Sequence, residues 1–155
     1  MGKPNHPSWH SPTLVQLNWV KPNVGSLKFN CDATIESSLS SLAVVLRDWK
    51  GTVVLAISRK ANTSIPFQAE AEAILWAVQL AINQRLENVY FESDSKTFVD
   101  ALFGNLCVVP WRVQGCLAEL LHTSTSHPHW SFRQINREAN GAPHSLATWS
   151  LKNRM

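Results

Sequence analysis

Gly25-Ser26-Leu27-Lys28-Phe29-Asn30-Cys31-Asp32-Ala33-Thr34 alternates apolar Leu27, Phe29, Cys31 and Ala33 with polar Lys28, Asn30, Asp32 and Thr34. That is the period-two pattern of a strand. Asp is a poor strand former, and a carboxylate beside a packed sheet costs free energy unless something neutralises it. Asp32 therefore asks for a partner.

Outward from this strand, residues 41–48 and 52–59 predict two more strands. The tight-turn signal Asp48-Trp49-Lys50-Gly51 joins them. Three strands on short links make an antiparallel meander. The period then changes. From Pro66 to about Gln84, Phe67, Glu70, Ile74, Ala77, Val78 and Ala81 recur at helical spacing, with Pro66 suited to the first turn. Residues 88–92 predict a fourth strand, and Ser95 or Asp94 is placed to cap a short helix that ends near Gly104. A helix over 109–122, a strand over 129–135, a turn over 136–141 and a helix over 143–152 complete the chain. Helical crossovers make strands one, four and five parallel, an α/β arrangement.

Upstream, residues 1–24 are rich in Pro, His and Ser, with Trp9 and Trp19 as isolated anchors. Pro4, Pro7, Pro12 and Pro22 rule out a continuous helix, so these residues read as a leader strapped across a domain of residues 25–155. At 155 residues and 45% hydrophobic content the chain suits one domain with a real core. No apolar run is long enough to span a bilayer, and the N-terminus lacks the apolar stretch of a signal peptide. Three cysteines without a CxxC argue against a disulfide framework. These features predict an intracellular protein of nucleus or cytoplasm, not secreted and without a membrane partner. The starting Met and short leader read as a free-standing protein rather than a polyprotein fragment, and a monomer is the expectation. The net charge of +3 permits polyanion binding without announcing it.

Acids carry the information, because there are only eleven. Glu70 lies in the helix's first turn and shares a face with Ile74, Ala77 and Ala81, whereas Glu72 shares its face with Gln79 and Asn83 and points to water. Taken singly, Glu70 is a dipole-stabilising residue and Asp94 a helix cap. Together, Asp32 and Asp94 end two parallel neighbouring strands, at the sheet edge where open α/β folds build sites. Glu70 begins the helix that crosses between them. Three convergent carboxylates repel unless cations bind, and oxygen-only ligands suit Mg²⁺ or Mn²⁺. Two such ions about 4 Å apart activate water and stabilise a leaving oxygen in phosphodiester hydrolysis.

At these residues the chain resembles the ribonuclease H-like domain of plants and of plant non-LTR retroelement reverse transcriptases. The resemblance runs through Trp19-Val-Lys-Pro-Asn-Val-Gly25, Lys28-Phe-Asn-Cys-Asp32, Val45-Leu-Arg-Asp48 with Gly51, Ala69-Glu70-Ala-Glu-Ala73, Glu92-Ser-Asp94-Ser95, and Arg137-Glu-Ala-Asn140 before Ser145-Leu-Ala147. It implies a ribonuclease H-like α/β fold, a five-stranded mixed sheet ordered 3-2-1-4-5 and flanked by helices. It also implies hydrolysis of the RNA strand of RNA–DNA hybrids, with Asp32, Glu70 and Asp94 as metal ligands. The family's fourth acid falls at His144. Neutral imidazole is a weak Mg²⁺ ligand and a better Mn²⁺ ligand, and it can orient or protonate a water, so His144 joins the three acids as a catalytic candidate. Ala33, Ser41 and Ala43 stand where the family has glycines that let nucleic-acid backbone approach. The alternative is accordingly a catalytically silent nucleic-acid-binding domain, and a third reading is a protein-interaction domain using its aromatic leader. In the resembled family a mobile histidine near the site assists product release, a role His127 or His129 would fill. Most of Trp49, Trp76, Trp111, Trp130 and Trp149 are expected to pack in core or rim rather than stack on bases.

Overall fold

The structure, a computed structural model, describes residues 9–10, 18–96, 98, 101 and 111–153. In chain order its strands are β1 (Trp9–His10), β2 (Leu27–Glu36), β3 (Leu39–Arg47), β4 (Val53–Ala61), β5 (Val89–Ser93) and β6 (Trp130–Gln134). Its helices are α1 (Pro66–Asn83), α2 (Trp111–Thr125) and α3 (Gly141–Asn153), the last preceded by a 3₁₀ turn over Arg137–Asn140. Lys96, Phe98 and Ala101 are also helical, while the expected end of that helix near Gly104 lies outside the described residues.

The sheet order is β1-β6-β5-β2-β3-β4. The five long strands thus follow the expected order, antiparallel in the β2-β3-β4 meander and parallel across β2, β5 and β6. The addition is β1, which pairs parallel with β6 through Trp9 opposite Phe132 and His10 opposite Arg133.

β2 is the central strand and is covered on both faces. Phe29 and Cys31 join the apolar core with Ala69, Ala73 and Ile74 of α1, while Lys28, Asn30 and Asp32 are buried on the other face, toward Asn140 and α3. Alanines at 69, 71, 73, 77 and 81 of α1 are all fully buried, and their small side chains let the helix lie close on the sheet. Register is held by an aromatic row across three strands. Phe29 is opposite Phe91 and Phe91 opposite Phe132, with ring centroids 5.4 and 4.9 Å apart, and Trp130 meets Phe91 edge-on at 5.2 Å. Each buried Phe contributes about 1.5–3 kcal/mol by area alone, and a one-residue slip would turn the row outward. This row aligns the carboxyl ends of β2 and β5, where the acids lie.

Several boundaries move. β2 continues to Glu36 and turns through Ser37, which takes a φ of 59°. α2 runs past His122 to Thr125, and α3 begins at Gly141, with Pro143 tolerated in its first turn. Among the described residues no helix is long and apolar enough to cross a membrane.

Candidate metal centre

Cys31 and Ser93 form the last pair between β2 and β5. Asp32 and Asp94 follow immediately, side by side where β2 loses its β5 neighbour. Pro66 is the first residue of α1, so Glu70 opens the second turn rather than sitting in the first. The N-terminal end of α1 lies over the same corner. One carboxylate oxygen from each of Asp32, Glu70 and Asp94 lies within 4.8 Å of the others. The sequence predicted this convergence.

The simpler explanations for the single acids weaken at this point. Phe98 N–H donates to Ser95 Oγ at 3.3 Å, so Ser95 caps its helix and Asp94 is left over. Glu70 Oε2 and Asp94 Oδ2 are buried oxygens without a hydrogen-bond partner. Burial first, then the charges of Asp32 and Asp94, push the Glu70 carboxyl well above the usual carboxylate range, with Arg137 opposing. Asp94 is raised to about 6 by burial and by Asp32, against the pull of Arg137 and His144. Oxygen-only donors, clustered negative charge and orphaned buried oxygens fit a hard divalent cation.

His144, from the first turn of α3, reaches the cluster through Nδ1, 2.9 Å from Asp32 Oδ2. Arg137 Nη2 lies 3.1 Å from Nδ1 and 3.4 Å from Nε2 of the same ring. A nitrogen that near both ring nitrogens would overlap Cε1 if it lay in the ring plane. The guanidinium therefore rests on the imidazole face, and Nδ1–H remains to donate to Asp32. Arg137 also lines, with Glu70, Asp94, Lys96 and Phe67, a cleft of about 530 Å³ that opens beside the acids.

Residues 30–150 match the family model described as reverse transcriptase-like. The chain belongs to the reverse transcriptase-like family. No curated protein matches it by sequence. Solved structures similar to this reverse transcriptase-like chain include ribonuclease H proteins and domains. Ribonuclease H1 of the halophilic archaeon Halobacterium salinarum aligns over 83% of this chain and 99% of its own, at 18% identity and a TM-score of 0.75. LC11 ribonuclease H1, isolated from compost and solved with an RNA/DNA hybrid, aligns over 83% and 98% at 21% identity and a TM-score of 0.72. The ribonuclease H domain of prototype foamy virus aligns over 80% and 92% at 15% identity and a TM-score of 0.59. The fold is that of ribonuclease H.

Some expectations do not survive within this fold. Trp130 pairs with Val89 at the start of β5, so the loop before it lies at the opposite sheet edge from Asp94. The offset is about 13 Å at ~3.3 Å per strand residue. His127 stacks on Trp130 with centroids 3.8 Å apart and bonds Thr123 O at 2.9 Å, which places it away from the acids. Glu72 does not simply face water: it is half-buried, and burial raises its pKa against the pull of Arg59. Of the five tryptophans expected mostly to pack, Trp130 is buried and Trp76 lies under Arg59 at 4.5 Å, but Trp49, Trp111 and Trp149 are exposed. Trp149 and Lys152 line a hollow with His144, on the helix that flanks the acid cluster.

Sequence reading missed a second polar cluster on the same face of β2. Lys28 Nζ pairs with Glu92 Oε2 at 3.0 Å, both side chains 3% exposed, and donates to Val20 O at 2.6 Å. Burial lowers the Lys28 pKa despite Glu92. Asn30 accepts from Trp19 Nε1 at 2.8 Å and donates to Glu92 Oε1 and Asn140 Oδ1 at 3.0 and 3.1 Å. Asn140 in turn donates to Cys31 O at 2.8 Å, beside Asp32. The signal was available. Polar residues at alternate positions of a strand covered on both faces must find partners.

Proposed function

We propose that this chain is a metal-dependent endonuclease that hydrolyses the RNA strand of RNA–DNA hybrids. The observation that carries the reading is the gathering of Asp32, Glu70 and Asp94 within 4.8 Å, with buried oxygens left unpartnered. These three residues would hold Mg²⁺ or Mn²⁺, which supplies the positive charge that makes water a nucleophile at neutral pH and steadies the leaving oxygen. Asp32, held from outside by His144, would be the fixed ligand. Glu70 and Asp94 hold protons more tightly than ordinary carboxyls and would give them up when a cation binds. The cleft lined by Phe67, Lys96 and Arg137 would take the RNA backbone, and Trp149 with Lys152 offers an aromatic and a cation to the flanking nucleic acid.

Cleavage of a labelled RNA–DNA hybrid in Mg²⁺ and in Mn²⁺, beside an Asp32→Asn control, tests the reading. Cuts in the RNA strand that disappear in the control support it. Salt-dependent binding without cleavage selects instead a silent hybrid-binding domain. The observation favouring that second reading is His144, which occupies an Asp32 oxygen where the resembled family carries a fourth acid.

A further inference from the structure

We propose that this is a one-ion centre, in which the Arg137 guanidinium, seated on His144, takes the electrostatic place of a second divalent ion. The inference rests on the metal-centre reading above and deepens it. A carboxylate that bridges two ions about 4 Å apart offers an oxygen to each. Asp32 Oδ2 is already engaged by His144 Nδ1 at 2.9 Å, in a side chain only 2% exposed that cannot swing to a new position. Asp32 Oδ2 spends a lone pair on His144, and His144 brings no carboxylate where the resembled family has a fourth acid, so the carboxylates gathered here, Asp32, Glu70 and Asp94, make one ion site.

Beside Asp32 Oδ2 lie the half-buried His144 ring and the exposed Arg137 guanidinium. The His144 ring lies against the carboxylate, and Arg137 Nη2 covers that ring at 3.1 and 3.4 Å from its two nitrogens. The permanent charge belongs to the guanidinium, which keeps its proton throughout the working pH range. It lines the same cleft as Glu70 and Asp94, so it faces both the acids and whatever phosphate the cleft admits. Planar and multiply donating, a guanidinium binds phosphate oxygens well.

Mn²⁺ binding to the full chain, counted by calorimetry and observed by electron paramagnetic resonance, decides the matter. The protein is loaded with a hybrid whose RNA strand is 2′-O-methylated and uncut, and the signal of Mn²⁺ on hybrid alone is subtracted. One Mn²⁺ per chain with an isolated-ion spectrum is expected. His144→Asp should admit a second ion and give the spin-coupled spectrum of a close pair. A coupled pair in the native chain overturns the one-ion inference while leaving the metal centre intact. No protein-bound Mn²⁺ overturns the metal-centre reading itself, and this inference with it. Arg137→Gln should leave the ion count at one and lower cleavage of an ordinary hybrid by roughly a hundredfold or more, the scale of losing one preorganised charge-stabilising donor. Arg137→Lys should recover part of that loss. Native-like cleavage by Arg137→Gln refutes the role given to Arg137, and because the native ion count needs no variant, the stability of His144→Asp does not limit the test.

Discussion

β2 carries two buried polar clusters on one face, Lys28 and Asn30 at one end and Asp32 at the other. In the first, the charge of Lys28 meets Glu92, and the Asn30 amide uses its oxygen and its nitrogen on Trp19, Glu92 and Asn140. In the second, three carboxylates face one another with Arg137 as the cation beside them, and two buried oxygens have no partner. Burial is common to both. What differs is charge balance. Glu92 Oε2 makes no hydrogen bond but faces Lys28 Nζ at 3.0 Å, so the carboxylate of the first cluster has its cation; a buried cluster of three carboxylates left short of positive charge is built for something that arrives.

The contrast is broken most directly at Glu92. Glu92→Ala leaves Lys28 buried beside apolar rings and should cost about 3–5 kcal/mol, the usual penalty for removing one partner of a buried pair. At 155 residues that lowers the melting temperature by about 10 °C or more. A thermal melt that moves by less than a few degrees would show the network to be less finished than its geometry. Asp32→Asn should do the reverse. Cleavage falls by more than about a hundredfold, beyond what losing a merely supporting contact costs a metal site, while the metal-free melting temperature holds or rises because like charges have been relieved. Loss of both activity and stability would place Asp32 with the structural cluster.

Much of this was legible in the sequence, and the rest has physical reasons for hiding. Alternation along Leu27, Phe29, Cys31 and Ala33 marks β2, and the helical recurrence of Ile74, Ala77 and Ala81 marks α1, because each pattern reports a face buried locally. Asp32, Glu70 and Asp94 were legible together because parallel strands and their crossover helix bring corresponding ends to one edge. Asn30 was not, since its partners Glu92 and Asn140 lie 62 and 110 residues away and pairing at such separation leaves no local periodicity. β1 is two residues long, too short for a pattern. His127 or His129 was offered for a place near the acids because their loop was read by chain order, when the direction of β6 carries that loop to the other end.

Protons sharpen the comparison at a smaller scale. Asp94 is raised to about 6 in the folded chain, from an ordinary 3.8. An acid raised on folding holds its proton more tightly when folded, so its contribution is fully present below the unfolded pKa and is lost as pH rises through the folded one. In EDTA the melting temperature should therefore fall as pH rises from ~4 through ~6, and Glu70, shifted in the same direction, adds to the fall. Asp94→Asn should flatten that fall. Mg²⁺ or Mn²⁺ should restore the lost stability at pH 7, where protons compete less for the acids. A melt insensitive to both pH and divalent ion would mean that the acids are solvated and hold nothing.

The smallest effect belongs to Trp19, which lies upstream of the residues that match the family model. Its ring packs under Arg47 at 4.6 Å and beside Lys28 at 5.4 Å, and its Nε1 donates to Asn30. Trp19→Phe keeps an aromatic face for both cations but removes the donor. Asn30 Oδ1 is then left unsatisfied in a 2% exposed side chain, which should cost about 1–3 kcal/mol. Cleavage should be unchanged, because Asn30 keeps its bonds to Glu92 and Asn140, and Asn140 keeps Cys31 O beside Asp32. If activity falls with stability, strain passes from the strap through Asn30 and Asn140 into the acid corner, and the two clusters on β2 are a single device. If only stability falls, they are independent, and the finished network is simply the floor on which the unfinished one stands.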